Sequence, residues 1–192
     1  MSAFEFFFSL YGLVLGLSVV EIVSGFARLA HDRRGVRIGW LTPMLAALML
    51  LDLANFWISA FRRLQGYELS YAVLVIALGI SALYYVAASV VFPRDFRAEP
   101  DFDAVFLRHR RLVMSIMIAA GIIAFEILPA LSAEGRAERW SVWTDPVSAL
   151  VPLSFIACSA GIMVFKDKRI HLALLAVLIG MYLVGFITSL PQ

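Results

Sequence analysis

Three acidic side chains stand inside long apolar runs, and the chemistry open to this chain begins with them. Glu21 lies in GLSVVEIVSG, Asp52 in ALMLLDLANFW and Glu126 in IIAFEILP. A charge at the centre of a membrane helix costs about 2.5–3.5 kcal/mol on insertion scales, so each carboxylate should face protein or a water-filled cavity. Low dielectric favours the neutral form of a carboxyl, which suits such a group to carry a proton. Ser18, Glu21, Ser24, Gly25 and Arg28 recur at steps of three or four and so share one helical face. Asp52, Asn55 and Ser59 repeat that pattern. Tyr84 or Tyr85 can offer a phenol to a carboxylate, with the other left as an interfacial anchor. A polar path through Ser18, Glu21, Asp52, Asn55, Tyr85 and Glu126 is the expectation. Plain helix packing is the competing reading, with Glu21 neutralised by Arg28 and Asp52 tied to Asn55.

The elements that position these groups follow from hydropathy. Of the 192 residues 62% are hydrophobic and 16% charged, against about 45–50% and about 25% in soluble domains, so the chain belongs to the membrane class. Apolar runs place spans near Phe4–Leu29, Gly39–Phe61, Tyr71–Phe92, Leu112–Leu131, Val147–Phe165 and Ile170–Leu190. The expected fold is therefore an all-α membrane protein, one transmembrane domain over residues 1–192 with six helices. Short loops leave no room for a soluble catalytic domain.

Twelve of the sixteen Lys and Arg residues fall in alternate loops: Arg28 to Arg37, Arg94 to Arg111, and Lys166 to Arg169. The positive-inside rule makes those loops cytoplasmic and puts both termini outside. MSAFEFFF lacks a basic start and a small-residue cleavage site, so the first span is expected to be retained. Cys158 is the single cysteine, which excludes an internal disulfide. The basic charge is a topology signal, with nothing to support nucleic-acid binding. In the cytoplasmic loop 93–111, Asp101 is a candidate N-cap for a short interfacial amphipathic helix. Its Phe102 and Phe106 would meet lipid or a partner, and Arg108, Arg110 and Arg111 would meet anionic headgroups.

Glu21 and Glu126 sit 105 residues apart in matching phrases, glycine, four residues, glutamate, isoleucine. WLTP at Trp40 and WTDP at Trp143 repeat at an offset of 103, and AVLVIALG at Ala72 and ALLAVLIG at Ala173 at 101. Two halves of three spans each must run in opposite senses, so these echoes suggest an inverted 3+3 repeat with a site near the midplane. Asp52 has no acidic counterpart, since Phe155 stands at the matching place.

Two function classes follow. In the first, the protein is transporter- or channel-like and moves a proton, a cation or a small basic solute through the carboxylate-lined core. In the second it is a non-transporting scaffold or accessory subunit of a larger membrane complex, acting as a homodimer or beside other chains. Convergence of the carboxylates on a wet cavity favours the first; dry, paired carboxylates favour the second. An enzyme is not expected, nor a cofactor or metal: His31, His109 and His171 fall at helix ends, where solvent or lipid is their expected surrounding. FEFFFSLYGLVLGLSVVEIVSGFARL, RIGWL, NFW, LYYVAASVVFP and FLRHRR, spread over roughly the first 115 residues, resemble a group of uncharacterised bacterial multi-span proteins. That resemblance implies a bacterial inner-membrane protein and no particular activity. Members often have a histidine near the FW pair, where this chain has Asp52 and Asn55.

Overall fold

The computed structural model describes residues 3–31, 37–64, 70–96, 99, 101–130 and 133–188. Their elements are α1 (Ala3–His31), α2 (Leu41–Leu64), α3 (Tyr71–Ser89), α4 (Phe102–Ile122), a π-helical turn (Ile123–Ile127), α5 (Leu128–Ala130), α6 (Ala133–Thr144), α7 (Pro146–Val164) and α8 (Lys168–Thr188). Five segments are long and apolar enough to cross a membrane: Phe4–His31, Leu41–Arg63, Tyr71–Ser89, Phe102–Ala130 and Lys168–Thr188. A sixth is reached if Gly135–Thr144 and Ser148–Val164, bent by 82° against each other, form one span. The protein is an all-α, multi-pass membrane protein.

Capping chemistry sets several boundaries. The Ser70 side chain accepts from Val73 N at 3.3 Å to start α3, and Asp145 accepts from Ser148 N at 2.9 Å to start α7, with Pro146 in the first turn. Asp101 caps α4 by accepting from the amides of Asp103 (3.0 Å) and Ala104 (3.2 Å). From that cap α4 runs on without a break, so the separate interfacial helix expected before Leu112 is instead the first part of the span. Phe102 and Phe106 correct the expectation of lipid or partner contact, because both are buried in the core. Phe102 packs edge-on to Phe92 and Phe96, and Phe106 packs against His171. The segment Ala133–Thr144, expected as a loop, is a helix; its AEGRAERW sequence carries no apolar stripe that would have announced one.

The six long helices close into a ring in the order α1, α3, α4, α7, α8, α2, with α2 also touching α4 across the middle. Exchanging the two halves of the chain does not reproduce these neighbours. Among the described residues α1 lies along α3, whereas α4 meets α8 mainly near their starts; α2 packs on α8, whereas α7 makes little or no contact with α3. The sequence echoes therefore do not extend to a matching arrangement of helices.

One end of the ring gathers the basic loops. There Asp103 accepts from Leu41 N at 3.2 Å and pairs with Lys168, joining the starts of α2, α4 and α8. Thr42 Oγ1 donates to the Phe102 carbonyl at 2.6 Å, and Arg111 Nε donates to the Met163 carbonyl at 3.1 Å. The turn after α3 folds beneath this end, burying Val91, Phe92 and Phe96. Phe92 sits where a side chain on Gly25 would be, so α1 can approach closely.

Candidate functional site

Asp52 lies halfway along α2, near the middle of the bundle, and is 3% exposed. Leu48, Met49, Leu53 and Phe56 around it are buried, so the helix turns its apolar face and its one acid inward together. Two phenols meet the carboxylate. Tyr84 of α3 donates to Oδ2 at 2.6 Å, and Tyr182 of α8 donates to Oδ1 at 2.6 Å. Each oxygen thus accepts one strong hydrogen bond, and the three side chains tie three helices together. Tyr11 of α1, also buried, is within electrostatic reach of the same carboxylate. The Phe56 ring stands edge-on to Tyr84 at 4.9 Å and to Phe125 at 5.2 Å.

A small cleft begins beyond that aromatic layer. Its volume is about 40 Å³, room for very few waters. Ser59 and Arg63 of α2 are its polar walls, and Tyr11 and Phe56 are common to the cleft and the surroundings of Asp52. Phe125 carries the Arg63 guanidinium over its ring at 4.8 Å. It comes from the π-helical turn, where Leu128 N–H reaches back to Ile123 O. Pro129 follows directly and has no N–H to give the Phe125 carbonyl, so the usual register has one bond less to hold it there.

The other acids lie apart. Glu126 points away from the cleft wall, accepting from Trp143 Nε1 at 3.0 Å and pairing with Arg139 at 3.6 Å, about one-third exposed. Such an exposed pair contributes about 0–1 kcal/mol. Glu21 is half-buried on α1 and has no hydrogen bond or ion pair among the described residues. Ser18, a turn earlier, is buried with its hydroxyl unpartnered. Asn55 is half-buried and does not bond Asp52. Of the expected path residues, then, only Asp52 enters the triad.

Tyr85 is corrected: it is 44% exposed, and its neighbour Tyr84 turns inward instead. His171 is corrected as well, being fully buried with Nε2 3.0 Å from the Phe165 carbonyl, because the start of α8 tucks against the end of α7.

No protein-family model, curated protein or solved structure matches this chain.

The chemistry must be read from the triad itself. As a carboxylate, Asp52 accepts from both phenols. As a neutral acid it keeps the same heavy-atom positions if one phenol turns its hydrogen away and accepts instead. Hydroxyl rotation alone therefore accommodates either protonation state of the carboxyl, the proton itself having to come from or go to another group or water. Among the described residues no three His, Cys, Asp or Glu side chains come together as a metal site. Tyr182 was missed by sequence reasoning. It shares a face of α8 with the buried Leu175 and Leu178, but that helix is apolar on nearly every side, so spacing alone does not mark the face.

Proposed function

We propose that the protein is a non-transporting scaffold or accessory subunit of a larger bacterial inner-membrane assembly, working as an oligomer or beside other chains. The observation that carries this reading is the buried, doubly hydrogen-bonded state of Asp52, with each oxygen taken by a phenol at 2.6 Å. Glu21, Asp52 and Glu126 lie in three separate environments, which argues against one conducting path. The triad then acts as an internal tie that fixes α2 against α3 and α8. Asp52 is 3% exposed and does not line the cleft, so a substrate has no route to it, and we read the protein as non-enzymatic. Orientation rests on the gathering of basic loops at one end of the bundle, which puts that end in the cytoplasm and both termini outside. The bacterial assignment rests on the resemblance of roughly the first 115 residues to bacterial multi-span proteins.

A second reading has one observation in its favour. The cleft of about 40 Å³ stops one aromatic layer short of Asp52, so displacement of Phe56 or Tyr11 would admit water and a proton. Reconstitution into liposomes with an internal pH dye and an imposed potential separates the two. A scaffold gives wild-type and Asp52→Asn vesicles the same leak as protein-free ones. A proton flux lost in Asp52→Asn overturns the scaffold reading and establishes the second.

A further inference from the structure

Among the described residues, the basic end holds a cation without a counter-charge. Arg110 of α4 is 7% exposed, and its Nε is buried with no hydrogen-bond partner. Among the described residues its guanidinium meets no carboxylate. The acids described at this end are committed elsewhere. Glu99 pairs with Arg108, Asp103 with Lys168, Asp101 caps α4, Asp167 accepts from Arg169 N at 2.8 Å, and Asp95 is engaged too. The charged group beside Arg110 is of its own sign, Arg111, and the neighbouring His171 is buried with its Nε2 against the Phe165 carbonyl. A largely buried guanidinium with no counter-ion among the described residues is costly, because lost hydration is offset only by partner charges and hydrogen bonds. Its planar fork matches the oxygens of a phosphate.

We propose that Arg110 binds the phosphodiester of an anionic membrane phospholipid, seated where α4 meets the end of α7 and the start of α8. Position selects this ligand over a soluble one. Arg110 is eight residues into α4, roughly 12 Å along its axis from Phe102, on a membrane-spanning segment at its basic end. A phosphate presented by a lipid reaches that depth with its acyl chains in the bilayer, and basic pockets between helices commonly hold such headgroups. Arg108 and Arg111 are not equivalent to it, since Glu99 and the Met163 carbonyl already engage them. The inference does not depend on the role of Asp52.

The test uses the purified full chain in mild detergent with phosphatidylglycerol and phosphatidylcholine in equal amounts, read by native mass spectrometry. Wild type should retain phosphatidylglycerol preferentially. Arg110→Gln should weaken that retention about tenfold, the scale of one charge-assisted contact, while Arg108→Gln should leave it unchanged. Equal retention of the two lipids overturns the proposal, as does an equal loss in Arg108→Gln. Displacement of phosphatidylglycerol by millimolar inorganic phosphate also overturns it, because it marks a site for the free ion. If Arg110→Gln does not fold, the wild-type competition between the two lipids decides alone.

Discussion

At the scale of single residues, the side chains around Asp52 are predicted to matter very unequally. Asp52→Ala strands two phenol hydroxyls, that of Tyr84 buried and that of Tyr182 part-buried, each an unmade hydrogen bond costing up to about 1–3 kcal/mol. Asp52→Asn keeps an acceptor for one phenol and should cost less. Tyr84→Phe and Tyr182→Phe each leave one carboxylate oxygen unpaired, again about 1–3 kcal/mol, and the double variant should depart from additivity because the two share one partner. Tyr85→Phe, at an exposed site, should stay within about 0.5 kcal/mol. Thermal unfolding in detergent ranks the five single variants and the double one; a Tyr85→Phe loss equal to that of Tyr84→Phe would remove the triad as the tie. The acid was legible in the sequence because a charge inside an apolar run must be accommodated. The phenols were not. Tyr84 and Tyr85 are about 100° apart on a helix, and α3 is apolar on nearly every side, so no stripe says which one turns inward. Tyr182 stands in a helix with the same lack of contrast.

Among the helices, close approach is the main determinant, since lipid removes most of the hydrophobic drive for helices to associate. Gly25 and Gly16 stand on α1, and their surroundings differ. A methyl group on Gly25 would fall on the Phe92 ring, which Phe26 at 5.0 Å and Phe102 at 6.1 Å hold in place. Gly25→Ala should therefore cost about 1–3 kcal/mol through overpacking. Nothing lies within 4 Å of the corresponding position on Gly16. Gly16→Ala should be neutral or stabilising by up to about 1 kcal/mol, through helix propensity. Melting of the two variants side by side checks this, and a Gly16→Ala loss as large as that of Gly25→Ala would place α1 wrongly against α3. Hydropathy made the long helices readable, and Asp101 was readable as a cap. The continuation of α4 from that cap was hidden because HRR inside it resembles a loop. The π-helical turn was hidden too, since its cause is a missing amide at Pro129 rather than an unusual side chain.

For the molecule as a whole, charge says more than the internal echoes do. Phrases such as glycine, four residues, glutamate recur easily in a chain rich in Leu, Val, Ile and Ala, and the ring of helix neighbours does not repeat with them. The distribution of Lys and Arg is independent of such coincidences, because it reflects which loops are translocated. Its structural counterpart is the basic end, where the starts of α2, α4 and α8 are joined through Asp103 and Lys168. Tyr71, at the start of α3, is 83% exposed, and Lys166, between α7 and α8, is also exposed. The up-and-down course of the chain puts these two positions at opposite ends. In a Cys158→Ser background, Tyr71→Cys should react with a membrane-impermeant maleimide on spheroplasts, whereas Lys166→Cys should react only after lysis. The reversed pattern would invert the proposed orientation while keeping the fold. Labelling of both positions from one side would break the alternation of helices on which the ring depends.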